Sequence, residues 1–156
     1  MKPTRVLFVC IGNSCRSPMA EGFARAYGSD VLIAKSAGLA PAMSVAPLTH
    51  KVMLEKNIEL GQVYPMSLSR LEGEFDLIIN MSGEPISGLQ GVPVEDWTVR
   101  DPIGESEDVY REVRDEIERR VMRLVLAMRA RKPPRSEGTA VAPPPRVDTR
   151  RRPPGK

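Results

Sequence analysis

Four apolar residues, Val6-Leu7-Phe8-Val9, run straight into Cys10-Ile11-Gly12-Asn13-Ser14-Cys15-Arg16-Ser17 and then Pro18. A short continuous apolar run with β-branched ends suits a strand buried on both faces. Proline is at home in the first turn of a helix. Between them lies a loop of small residues too short to wander, so the segment must turn from strand to helix within a few peptides. The backbone N–H groups of such a loop can converge into a concave anion site, and the helix that follows adds the positive end of its dipole.

The rest of the chain repeats this alternation. Met19, Ala20, Phe23, Ala24 and Tyr27 recur at helical spacing up to Gly28. Val31 to Ala34 reads as a second strand leading into Ser36-Ala37-Gly38, and residues 45–57 as a second helix. Phe75 to Ile79 is a third strand and Val92 to Trp97 a short fourth, with Pro93 suited to an edge or a strand beginning. Val109, Tyr110, Val113, Ile117, Val121, Leu124, Val125 and Met128 form the stripe of a long final helix, with acids early and arginines late, as the dipole favours. Strands alternating with helices imply an α/β fold with a parallel sheet and helices on both faces.

The net charge of +3 hides a division. Residues 131–156 carry eight Lys or Arg against Glu137 and Asp148, which leaves the preceding residues at −3. Seven of the fifteen prolines fall in the same stretch. We therefore expect one domain over 1–130 and a basic, proline-rich, disordered tail over 131–156. Such a tail is compatible with electrostatic contact to nucleic acid or an acidic membrane surface. No aromatic residues interleave its charges, and a solvated tail without a partner is the simpler expectation. No apolar stretch is long enough for a membrane span, and the first one is too short for a signal-peptide core, so a cytoplasmic protein is expected. Two cysteines five residues apart and one histidine make neither a disulfide framework nor a four-ligand zinc site. We expect neither a metal nor a cofactor.

A cysteine at a strand end is commonly just buried. What distinguishes Cys10 is Arg16, separated from it by five residues of the intervening turn, with Ser17 next. A thiolate can attack the central atom of a tetrahedral oxyanion only where the incoming negative charge is neutralised. Arg16 can hold two oxygens through its planar fork, a geometry lysine lacks. The amides of Ile11, Gly12, Asn13, Ser14, Cys15 and Arg16 are placed to bind the remaining oxygens of phosphate or a similar anion. Ser17 can reach the Cys10 sulfur or cap the helix. Asn13 tolerates a left-handed conformation and Gly12 is placed to supply one. Asp101, before Pro102 and ahead of the last helix, is the candidate general acid and base, with Asp96 and Asp108 as weaker rivals. His50 has no partner motif, and Trp97 is expected in the core or at a crevice wall.

From Val6 through Glu21 the chain resembles the N-terminus of the low-molecular-weight protein tyrosine phosphatases. Ser36-Ala37-Gly38 and Asp101-Pro102 match further landmarks of that family. The resemblance implies a flavodoxin-like three-layer sandwich around a four-stranded parallel sheet. It implies a phosphomonoester hydrolase working through a phosphocysteine on Cys10, with Arg16 as clamp, Ser17 assisting the thiolate, and Asn13 and Ser36 supporting the loop. Its substrates would be a phosphotyrosyl protein or a small aryl phosphate. Ile103-Gly104 stands where phosphotyrosine-specific members carry aromatic residues. Residues 97–104 and 113–117 are closer to the thioredoxin-coupled arsenate reductases of the same fold. That branch needs thiols after the third strand, where this chain has Met81-Ser82-Gly83-Glu84 and no cysteine. The alternative is thus arsenate reduction with an external low-molecular-weight thiol, and in the family Cys10 and Cys15 can pair as a protective disulfide.

Overall fold

The computed structural model describes residues 2–61, 63–86 and 91–131. Four strands, β1 (Thr4–Cys10), β2 (Leu32–Gly38), β3 (Leu77–Asn80) and β4 (Val94–Asp96), form one sheet in the order β2-β1-β3-β4, every neighbouring pair parallel. The helices are α1 (Arg16–Gly28), α2 (Pro47–Leu54) and α3 (Glu107–Arg131). Arg131 closes α3, and the rest of the basic tail lies outside the described residues.

The chain leaves β1 toward β2 on one side and returns to β3 on the other. In doubly wound sheets of this kind, ligands bind where the winding reverses, beyond the carboxyl ends of the strands. That point is the end of β1, where Cys10 stands.

Alternation within β1 divides the core. Val6, Phe8 and Cys10 face the layer of α1, α2 and α3, whereas Leu7 and Val9 face a smaller cluster with Ala37 and Ile78. A single turn of 3-10 helix, Leu68–Arg70, and the flanking side chains of Leu39, Leu71, Phe75, Ile86 and Val92 cover this second cluster. Helical elements thus lie on both faces, with the longer ones gathered on one.

α3 buries the predicted stripe from Tyr110 to Met128 against α1 and the sheet. Each fully buried side chain of this size contributes roughly 1.5–3 kcal/mol. The two helices pack closely at Gly28, where an added Cβ would meet Val125 Cγ2 at 2.6 Å. α2 is fastened to α3 through Glu55, whose carboxylate accepts hydrogen bonds from Arg111 and Arg114 and is held down at about 2 by those bonds. Trp97 is buried, its ring centroid 6.1 Å from that of Phe8 and 5.8 Å from the Arg120 guanidinium carbon that lies over it. It is a core residue. Among the described residues no helix is long and apolar enough to cross a membrane.

Candidate active site

The loop after β1 folds around Cys10, which is buried at 2% exposure. Its carbonyls are turned outward: those of Cys10, Ile11, Gly12 and Ser14 accept N–H bonds from Leu39, Ala40, Ala42 and Ala46 at 2.8–3.1 Å. In a trans peptide the N–H points opposite to the C=O. The amides of Ile11, Gly12, Asn13 and Cys15 therefore turn to the concave side, as the sequence predicts for an anion cradle.

The left-handed position in this turn is Asn13, at φ 51°. Gly12 has no positive φ, and a Cβ there would make only ordinary contacts with Ser14 and Ala42. The expectation that Gly12 supplies the unusual backbone is thus corrected; the asparagine does so, and its side chain fixes the loop. Asn13 Oδ1 accepts from Met66 N at 2.8 Å, while Nδ2 donates to Ser17 Oγ at 2.8 Å and to Ser36 Oγ at 3.0 Å.

The glycine the loop does require is Gly38, at the end of β2. A Cβ at this position would meet Ile11 O at 2.6 Å and Asn13 N at 2.9 Å, both backbone atoms that can yield only if the loop moves. Gly38→Ala is expected to cost about 1–3 kcal/mol as overpacking, read as a lowered midpoint in thermal or denaturant unfolding.

Ser17 is not the helix cap. α1 begins at Arg16 with Cys15 as cap residue and no side-chain capping bond. Ser17 Oγ lies 3.0 Å from Cys10 Sγ, and Ser17 N lies 3.5 Å from the same sulfur. Of its two sequence-level roles, the structure shows the contact with the thiol.

Arg16 is 5% exposed and held from behind, Nη1 donating to the carbonyls of Met81 and of Val99, the latter at 3.1 Å. Nη2 lies 3.4 Å from Asp101 Oδ2. Nε is buried with no hydrogen-bond partner among the described residues. A buried donor without a partner costs free energy unless an acceptor meets it, and an oxyanion oxygen would be one. Asp101 accepts from Ile103 N through Oδ1 at 3.1 Å, which orients its second oxygen toward Arg16. The structure thus brings Cys10, Arg16, Ser17, Asn13, Ser36 and Asp101 to one place.

Cys15 is buried beside the cavity above Cys10 and donates to Tyr110 Oη on α3 at 3.6 Å. Burial pushes its thiol above the ordinary value, with smaller opposing effects from Thr49 and Tyr110. Tyr110 is itself raised, first by burial and then by this contact.

The cavity above Cys10 has a volume of about 140 Å³ and is lined by Cys10, Ile11, Gly12, Ser14, Cys15, Arg16, Ala42, Asp101 and Ile103. None of these is aromatic. Tyr64 is exposed at 72%, Tyr110 is buried behind Cys15 and Trp97 is in the core, so none walls the mouth. Sequence reasoning missed Ala42, and it missed the carbonyls of Met81 and Val99 that aim Arg16.

Residues 5–133 match the family described as low molecular weight phosphotyrosine protein phosphatase. The chain belongs to this family. Within it, similar proteins include a glutaredoxin arsenate reductase of Synechocystis sp., 35% identical over 126 residues that cover 78% of this chain and 95% of that protein. An arsenate reductase of Bacillus cereus is 33% identical over 124 residues, 76% of this chain and 92% of that one. Among solved structures, an arsenate reductase in the phosphate binding state superposes with a TM-score of 0.73 at 32% identity, covering 80% of this chain and 98% of that one. The arsenate reductase of Archaeoglobus fulgidus does so with a TM-score of 0.71 at 33% identity, covering 77% and 98%.

Proposed function

We propose that this family member reduces arsenate, with Cys10 as nucleophile and an external low-molecular-weight thiol as reductant. The observation that carries the reading is the cavity. At about 140 Å³, without an aromatic wall, it suits a bare tetrahedral oxyanion; pockets for larger organic ligands run to roughly 300–1,000 Å³. The similarity to arsenate reductases supports the same choice over aryl phosphate hydrolysis.

The Cys10 thiolate attacks arsenic(V) and a water leaves, giving a sulfur–arsenic bond. Arg16 and the loop amides hold the oxygens, and Ser17 orients the sulfur. An external thiolate then attacks the Cys10 sulfur. The sulfur–arsenic bond breaks, its electron pair stays on arsenic, and arsenite departs, leaving a mixed disulfide on Cys10. A second thiol restores Cys10 and releases the external disulfide. The electrons come from outside because the sequence has only Cys10 and Cys15, and burial holds Cys15 as a thiol against Tyr110.

One observation favours a second reading, phosphomonoester hydrolysis through a phosphocysteine. Asp101 stands at the mouth of the cavity beside Arg16, where a carboxyl could protonate a leaving oxygen and then activate water. The two readings separate in one experiment. Purified protein is assayed with arsenate, glutathione, glutathione reductase and NADPH, and in parallel with para-nitrophenyl phosphate. Arsenate-dependent NADPH oxidation is the expected result. Release of para-nitrophenol without it would favour the phosphatase.

A further inference from the structure

The outer face of α3 changes composition half-way along. Residues 107–118 carry six acids, whereas 119–131 carry five arginines and no acid. Over that second stretch every exposed side chain is an arginine, a leucine or an alanine. We propose that this face, together with the basic chain that follows it, docks the protein on an anionic lipid membrane. The surface is separate from Cys10, and its role does not depend on which reaction Cys10 performs.

The fold itself does not explain these arginines. The helix dipole favours cations within the last turn, and Arg119 and Arg123 lie more than two turns before it. Arg120 pairs with Glu116 and Arg129 with Asp30. Arg119 and Arg123 pair with no carboxylate among the described residues, and at four residues' spacing they repel each other. Leu126 is 54% exposed and lies three residues from both Arg123 and Arg129, so it neighbours each on the helix surface. A membrane with anionic headgroups suits this mixture: guanidiniums meet phosphates while the aliphatic side chain reaches the acyl boundary. A nucleic-acid backbone would also meet the arginines, but it offers Leu126 nothing. No aromatic residue after Arg119 is present to stack on bases.

Charge and position give the contact a direction. From Arg119 onward the chain carries twelve Lys or Arg against two acids, which leaves residues 1–118 at −7 in a protein of net charge +3. Residues 132–156 lie outside the described residues and enter here by their charge alone. An anionic surface attracts the basic end of the molecule and repels the acidic remainder, so the protein is oriented as it binds. The end of α3 lies by the starts of the strands, where Met128 and Arg131 share a cavity wall with Lys2, Thr4, Leu77 and Pro93. Cys10 stands at the other end of β1. A membrane met at the basic end leaves the cavity above Cys10 clear.

The test is sedimentation of the full chain with vesicles of phosphatidylcholine, alone or with about one-third phosphatidylglycerol, in about 0.1 M salt, where the Debye length is about 10 Å. Binding is expected to the mixed vesicles and not to phosphatidylcholine alone. Each arginine near such a surface is worth about a fivefold change in partitioning. Arg119→Gln combined with Arg123→Gln should therefore weaken binding about twentyfold, and Leu126→Gln about fivefold through lost apolar burial. Arg70→Gln removes a charge from an exposed arginine over the other face of the sheet and should change binding by about twofold at most. All these side chains are exposed, so the melting temperature should stay that of the parent. No binding to the mixed vesicles, or binding that the substitutions on α3 leave unchanged, overturns the proposal. Binding to duplex DNA as tight as to the vesicles at the same salt, and indifferent to Leu126→Gln, would assign the face to nucleic acid and overturn it as well.

Discussion

Cys10→Ser protein will show no arsenate-dependent NADPH oxidation above background, a loss of about a thousandfold or more. The reason is chemical. The hydroxyl that replaces the thiol is a far weaker nucleophile, and it cannot form the disulfide by which the reductant removes arsenic. The substitution removes one sulfur atom's bulk from a buried site whose partners, Ser17 Oγ and Ser17 N, can bond an oxygen equally well. The far-ultraviolet circular dichroism and the melting temperature should therefore stay close to those of the parent. Retained turnover would place the nucleophile elsewhere and sink both readings of the site.

The second large effect is expected at Arg16. Two of its nitrogens fix the plane of the guanidinium, Nη1 against the carbonyls of Met81 and Val99 and Nη2 beside Asp101, so Nε is aimed rather than merely nearby. Arg16→Lys keeps the charge and loses this fork. One ammonium cannot bond both carbonyls and also hold two oxygens of an anion. The loss in kcat should be roughly 10²–10³-fold, the range for removing one donor that binds developing negative charge. Lysine restoring most of kcat would mean that charge alone suffices, against the geometric role given to Arg16.

Much of this site is legible in the sequence because it is local. Cys10, Arg16 and Ser17 lie on one strand–loop–helix unit, and covalent connection alone keeps them together. Asp101 is 85 residues from Arg16, yet its place before Pro102 and the last helix singles it out, and the two meet at 3.4 Å. What the sequence does not disclose comes from packing between distant elements. Gly38 must be glycine because β2 presses on the loop backbone, and no local pattern reports that pressure. Tyr110 reaches Cys15 only because α3 lies across α1. A hydroxyl before a proline reads equally as a helix cap; the helix in fact starts two residues earlier than a cap at Ser17 implies, which turns that hydroxyl inward.

The same distinction bears on the fold. The alternation of apolar runs gives the parallel sheet and the three long helices, since each of those elements carries its own period. The cover on the second face is assembled from single side chains, such as Leu39, Leu68 and Phe75, spread over loops without periodicity. Nothing in a window of sequence marks them as belonging together.

The most direct test of the central claim is intact-protein mass spectrometry after a brief reaction with arsenate and glutathione, quenched in acid. The expected product carries one glutathione joined by a disulfide to Cys10, formed only when arsenate is present and absent from Cys10→Ser. Arsenite produced with no such adduct, or an adduct that forms equally without arsenate, would contradict it.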